Sequence, residues 1–295
     1  MNRIGIDLGG TKTEIAVLDA TSGAELYRKR IPTERSYDGV VRGIRELVQA
    51  AEMELGRVGS VGIGIPGTVS RETGLVKNAN STWINGKPLD RDLRSALGRD
   101  VRLENDANCF AVSEARDGAG AGADVVFGVI IGTGTGAGVV VHGSCLKGVN
   151  GIAGEWGHNP LPWNENPGRS CYCGKVGCIE TWLSGPAFEN DYFESAGKKK
   201  TAEEIAAAAA AGDADAGAVL GRYVHRLAQG LAHVINIVDP DVIVLGGGMG
   251  KILSLYDAVP RVWGRYVFSD SVQTKLKPPV FGDSSGARGA AWLWP

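Results

Sequence analysis

Apolar positions along this chain fall into two kinds of run. Short runs closed by turn residues read as buried strands: Arg3–Asp7, Glu14–Leu18, Ala24–Arg30, Val58–Ile65, Val101–Leu103, Val125–Ile131, Val139–His142 and Asp241–Leu245. Other runs carry helical spacing. Val40, Ile44, Leu47, Val48, Ala51 and Leu55 share one face. Leu220, Val224, Leu227, Leu231 and Val234 form the stripe of a long helix over Ala218–Val238, which Asp239-Pro240 stops. Ala206–Ala211 favours helix by propensity alone, and Ser284–Trp294 reads as a closing helix.

The second half begins as the first does. Shifted by 123 positions, Gly5 meets Gly128, Ile6 meets Val129, Leu8 meets Ile131, Gly9 meets Gly132, Thr13 meets Gly136 and Val17 meets Val140, without a gap. Both stretches read strand, glycine turn, strand. An internal duplication would give two similar domains facing each other. The length of 295 residues fits that, at roughly 150 residues per domain. Glycine supplies 44 of those residues, about twice the usual share. In a folded chain such an excess marks tight turns and close backbone approaches.

The glycine turns are where chemistry can sit. In Asp7-Leu8-Gly9-Gly10-Thr11-Lys12-Thr13, successive backbone N–H groups can turn inward around an anion. Asp7, at a strand end, can hold Mg2+ through water. A plain hairpin turn is the alternative, and it needs far less glycine. Neither the P-loop nor the dinucleotide fingerprint fits the spacing. Gly132-Thr133-Gly134-Thr135-Gly136 repeats the motif, and two facing cradles suit a triphosphate. Gly246–Gly248 follows a strand and can lie flat against adenine or ribose, or merely end the strand. Asn105-Asp106 also ends a strand, where ligands of α/β sheets bind. Asp106 there can accept a hydroxyl proton during phosphoryl transfer, or serve as a helix N-cap.

Charge narrows the classes. With 31 Lys plus Arg against 33 Asp plus Glu, the net charge is −2, which argues against nucleic acid and anionic lipid as partners. No apolar stretch reaches the roughly 18 residues of a membrane helix, and the early Asp7 does not suit a signal peptide, so a cytoplasmic protein is expected. Of five cysteines, three crowd together. His158, Cys171, Cys173 and Cys178 supply one imidazole and three thiolates, the set for a closed structural Zn2+ site; free thiols or a redox pair are the alternatives. Cys109 and Cys145 read as small buried residues. Glu155, His158 and Glu180 form a polar set around the cysteine cluster. Glu155 and His158, three apart, could share a helical face, while Glu180 alone reads as surface charge.

Six motifs occur in order: Asp7-Leu8-Gly9-Gly10-Thr11-Lys12, Ile65-Pro66-Gly67, Asn105-Asp106-Ala107-Asn108, Gly132-Thr133-Gly134-Thr135-Gly136, Gly154-Glu155-Trp156-Gly157-His158 and the stretch from Cys171 to Glu180. Together they resemble the ROK family of sugar kinases and repressors across essentially the whole chain. The resemblance implies an α/β fold of two actin-like (ribonuclease H-like) domains flanking a cleft. The first spans 1–115, with the C-terminal helix 284–295 packing back on it; the second spans 116–283 and carries the zinc loop. Asn78–Trp83, His158–Trp163, Gly282–Gly286 and Gly289–Trp294 resemble more narrowly the fructokinases of the manno(fructo)kinase branch.

That resemblance implies ATP-dependent phosphorylation of fructose at its 6-hydroxyl, with mannose secondary. Glucokinase and N-acetylhexosamine kinase are alternatives on the same machinery. It makes Asp106 the catalytic base. It makes Gly67, Asn80, Asn105, Asp106, Glu155, His158 and Glu180 sugar contacts. It assigns Mg-ATP to Asp7, Gly9, Gly10, Thr11, Lys12, Gly132, Thr133, Gly134, Gly136, Gly247 and Gly248. It assigns structural zinc to His158, Cys171, Cys173 and Cys178, with His158 serving a sugar hydroxyl as well. A homodimer is implied. A repressor of the family would carry a further N-terminal DNA-binding domain, for which a phosphate motif beginning at Asp7 leaves no room. A silent sugar sensor would have no use for Asp106 and two phosphate turns.

Overall fold

Two five-stranded mixed sheets with the same plan organise the chain. The computed structural model describes residues 2–163 and 168–294, apart from the side chain of Asp283. The first half runs β1 (Asn2–Leu8), β2 (Lys12–Asp19), β3 (Glu25–Pro32), α1 (Tyr37–Leu55), β4 (Gly59–Ile65), a short hairpin of β5 (Thr68–Val69) and β6 (Val76–Lys77), α2 (Leu89–Leu97), β7 (Val101–Asn105) and α3 (Asp106–Arg116). The second half runs β8 (Val125–Ile131), β9 (Thr135–Val141), β10 (Ser144–Cys145), α4 (Glu180–Leu183), α5 (Gly185–Ala196), α6 (Ala202–Ala210), α7 (Ala214–Val238), β11 (Val242–Gly246), α8 (Leu255–Ala258), α9 (Pro260–Trp263), β12 (Lys275–Lys277) and α10 (Ser285–Ala291).

The strand orders are β3-β2-β1-β4-β7 and β10-β9-β8-β11-β12. In each, the first two long strands form an antiparallel hairpin and the next two add in parallel. Gly5 and Gly128, aligned by the sequence repeat, occupy equivalent strands. The matched topology supports duplication more strongly than the short sequence match does.

Helix formation follows from caps and stripes. Ser36 accepts the Gly39 N–H at the start of α1, and Gly56 ends it in the left-handed region. Its Val40, Ile44, Leu47 and Val48 close over Ile4, Ile6, Val61 and Ile63 of the first sheet. The stripe of α7 does the same for the second sheet, with Leu227 and Leu231 beside Phe127 and Val129. No described helix is long and apolar enough to cross a membrane.

Between the sheets lies α3, buried along most of its length. Gly128 and Gly138 leave room for Ala111, and Gly64 leaves room for Cys109. The closing helix α10 comes closer still. A Cβ on Gly5 would meet the Ala287 carbonyl oxygen at 1.9 Å, one on Gly62 the Ala290 carbonyl at 1.9 Å, and one on Gly289 the Cys109 carbonyl at 1.6 Å. Backbone therefore lies on backbone, and much of the glycine excess is explained by packing.

Several boundaries differ from the sequence reading. Strand β9 begins at Thr135, inside the glycine run, so the second turn is only Gly132–Gly134. Gly136 pairs with Ile130 and Gly138 with Gly128. The closing helix proper is Ser285–Ala291, preceded by a 3-10 turn at Gly282–Ser284. Helices α2 and α5, the β5–β6 hairpin and β12 were not legible. In α2 only Leu89 and Leu93 are buried, and in β12 only Leu276, too few positions to give a period.

A methyl group at position 5 has nowhere to go. Gly5→Ala should destabilise by about 3 kcal/mol or more, lowering the thermal midpoint by roughly 6–12 °C. Gly221→Ala, in α7 with nothing near its Cβ position, should hold or raise the midpoint. Equal midpoints for the two variants in a thermal melt would contradict the close packing of α10.

Candidate active site

Strand ends place the two central carboxylates. Asp7 is next to last in β1 and Asp106 is the first residue of α3, following β7. The Asn105 side chain, not Asp106, caps this helix: its Oδ1 accepts from Ala107 N at 3.0 Å and from Asn108 N at 3.3 Å. Its Nδ2 donates to the Gly67 carbonyl at 3.0 Å. The N-cap alternative for Asp106 is thereby taken by its neighbour. One Asp106 oxygen accepts from Ala107 N at 2.8 Å.

Desolvation raises both carboxyls. It pushes Asp7 up to about 7, with help from the charges of Asp106 and Glu14 and against Lys12 and Arg30. It raises Asp106 as well, with a contribution from Glu155, against the backbone N–H bonds at the helix start and the Asn105 side chain. A helix N-terminus favours the anion, so Asp106 is held between two opposing tendencies.

The first glycine turn is closed by Gly9 N to Lys12 O at 3.0 Å. Thr33 Oγ1 donates to Gly9 O at 2.8 Å, fastening the turn to the end of β3. Thr11 and Lys12 are exposed, and Gly10 lies beside Ser81. The second turn is closed by Gly132 N to Gly134 O at 2.9 Å, with Thr133 exposed at its tip. Gly136 has moved out of this turn into β9, where a Cβ would meet Ala107 at 3.3 Å. It thus admits the start of α3 to the sheet. Gly247, at φ +78°, is pressed on Ile131, where a Cβ would meet the carbonyl oxygen at 2.4 Å; Gly248 faces open space. The strand-ending requirement therefore accounts for Gly247, and Gly248 offers the free surface.

Gly67, at φ +71°, bends the chain so that Asn78–Asn80 follow close behind. Asn80 is exposed. Asn85 brackets this segment, accepting from Ala79 N at 3.0 Å and donating to Ala79 O at 2.8 Å. Neither Asn85 nor Thr33 was singled out from sequence; a polar residue bonding to distant backbone leaves no local pattern.

Glu155 is exposed and precedes the 3-10 turn Trp156–His158, in which residues three apart lie on one side. Glu180 opens α4 and is not plain surface charge. Its Oε2 accepts from Thr135 N at 2.8 Å, tying the expected sugar carboxylate to the first residue of β9, just after the second glycine turn.

His158 Nδ1 is 3.6 Å from Cys171 Sγ, and Cys173 Sγ is 3.6 Å from Cys178 Sγ. The donor atoms of all four residues lie within 4.8 Å of one another. A zinc tetrahedron with Zn–S near 2.3 Å has edges of about 3.8 Å, so the set fits. Burial and crowding by the other two thiols push Cys178 up to about 12. Cys109 is buried as expected, but Cys145 is only half-buried. His158 Nε2 does not face open space: the Tyr172 hydroxyl lies 3.1 Å from it.

Known proteins are similar to this chain over nearly its whole length. An N-acetyl-D-glucosamine kinase of Histophilus somni (strain 129Pt) is 39% identical over 299 residues, covering 98% of each chain. A ROK hexokinase from Thermus thermophilus superposes with a TM-score of 0.88 at 32% identity, covering 99% of this chain and 97% of that one. A ROK family glucokinase from Streptomyces griseus, solved with glucose and AMPPNP, superposes at 0.80 with 28% identity, covering 99% of each. The family model that matches, over residues 3–295, is that of the ROK family, and the chain belongs to it.

Proposed function

We propose that this chain is a sugar kinase that transfers the terminal phosphoryl group of Mg-ATP to the 6-hydroxyl of a hexose, with Asp106 as general base. The observation that carries this is the division of labour at the start of α3. Asn105 takes the cap, which leaves a raised carboxyl at Asp106 to receive a proton. Proton acceptance comes late, because the transition state is loose. Gly9–Lys12 and Gly132–Gly134 cradle the phosphates through backbone N–H groups, and Asp7 steers the magnesium that accompanies the nucleotide. Residues 1–115 with 284–295, and 116–283, act as two lobes that close to exclude water. Gly67, Asn80, Asn105, Glu155, His158 and Glu180 orient the sugar. A homodimer belongs to the same reading.

N-acetyl-D-glucosamine is the acceptor that the Histophilus relative supports, ahead of the fructose expected from sequence. Fructose stands as the second reading because Asn78–Trp83, His158–Trp163, Gly282–Gly286 and Gly289–Trp294 carry the narrower resemblance. His158, Cys171, Cys173 and Cys178 would hold structural Zn2+, which when bound fixes the loop that carries Glu180.

Asp106→Asn should lower kcat by about a thousandfold while leaving hexose KM within a few-fold; surviving turnover would show the base to be another group. A panel of N-acetyl-D-glucosamine, fructose, mannose and glucose, read by coupled ADP release, should show one acceptor ahead by at least about tenfold in kcat/KM. Dominance of fructose would place it ahead of N-acetyl-D-glucosamine as the acceptor, and no turnover on any hexose would end the kinase reading. The purified protein should contain about one equivalent of zinc. Cys178→Ser should lose it and raise hexose KM by about tenfold or more; zinc below about half an equivalent would count against the four-ligand site.

A further inference from the structure

Tyr172 is an exposed aromatic, 84% accessible, to which phosphoryl transfer gives no role. It lies between Cys171 and Cys173 in a tight turn closed by Cys171 N to Lys175 O at 2.9 Å and Gly174 N to Cys171 O at 3.0 Å. Its hydroxyl is 3.1 Å from His158 Nε2, and the two rings meet edge to face at 5.2 Å and 87°. With Nδ1 facing Cys171, both nitrogens of His158 are engaged, and Tyr172 stands where a direct sugar contact to Nε2 was expected.

We propose that Tyr172 is a positioning and specificity-determining residue of the acceptor site, its hydroxyl extending the His158 hydrogen bond to a sugar hydroxyl while its ring walls that side of the cleft. The inference rests on the hexose-kinase reading. A phenol both donates and accepts, so whichever tautomer His158 holds, one hydrogen bond of the hydroxyl is left for the acceptor. The ring gives a flat apolar wall while its polar tip stays wet, the usual division in an aromatic with a polar handle. The tight turn fixes the backbone beneath the ring and the His158 contact orients the ring, so less ordering remains to be done on binding. Because Tyr172 bears on the sugar and not on the phosphates, its effect belongs in hexose KM and in the choice between hexoses.

The test compares the purified wild type with Tyr172→Phe and Tyr172→Ala. The readouts are kcat and KM for fructose and N-acetyl-D-glucosamine, KM for ATP, zinc content and thermal midpoint. Tyr172→Phe should raise KM for the preferred hexose by about fivefold and change the fructose to N-acetyl-D-glucosamine ratio of kcat/KM. Its kcat, ATP KM, zinc content and midpoint should stay as in the wild type. Tyr172→Ala, which also loses the ring, should raise hexose KM further. An unchanged KM and ratio in Tyr172→Phe would overturn the inference. So would a KM change that tracks lost zinc or a lowered midpoint, since that is a structural role. A wild type that phosphorylates no hexose would overturn the inference and the kinase reading together, whereas an active wild type with an indifferent Tyr172→Phe overturns the inference alone.

Discussion

The site depends on how Asn105 uses its carboxamide. Its oxygen satisfies two N–H groups at the start of α3, and its nitrogen holds the Gly67 carbonyl. One side chain thus joins a strand end, a helix start and a bend that leads to Asn80. Such a cap is worth about 1 kcal/mol, a modest figure beside its positional effect. If Asp106 had to cap the helix itself, its carboxylate would be committed to backbone. With Asn105 in that place, Asp106 keeps acceptor capacity beyond the one bond it takes from Ala107 N.

Packing then determines what surrounds that carboxylate. Helix α3 lies on β8 and β9 through Gly128 and Gly138, and α10 lies on β1 and β4 through Gly5 and Gly62. These backbone contacts leave Asp106 near enough to Asp7 for its charge to raise the proton affinity of Asp7. A compact cation would relieve that repulsion, which suits a nucleotide that arrives with magnesium. The bond from Thr135 N to Glu180 also ties the start of β9 to the start of α4.

Periodic features were legible in the sequence. The stripes of α1 and α7, the apolar runs of β1, β4, β8 and β11, and the repeat of strand and glycine turn all survive with boundaries shifted by a few residues. Clustered chemistry was legible too: the cysteines and His158 gather as their spacing suggested. The limits of the glycine turns were not. Gly136 and Gly247 look like ligand glycines by composition, yet one admits α3 and the other meets the end of β8. Only the register of the sheets separates those uses. Asn85, Thr33 and Tyr172 were missed because each acts on a partner distant in sequence or through a side chain with no spacing rule. The direction of the Asp106 shift was hidden as well. Burial, which leaves no local pattern, raises this carboxyl against the preference of a helix start for the anion.

In the proposed mechanism, a raised carboxyl at Asp106 must lose its proton before it can take one from the hexose. The direct measurement is the pH dependence of kcat/KM for the preferred hexose at saturating Mg-ATP. A group with a raised pKa is protonated, and unable to act as base, over a wider range of low pH. Activity should therefore fall on acidification through an apparent pKa clearly above the roughly 3.9 of free aspartate. A profile that stays flat from neutrality to pH 4 or below would contradict a raised catalytic carboxyl at Asp106.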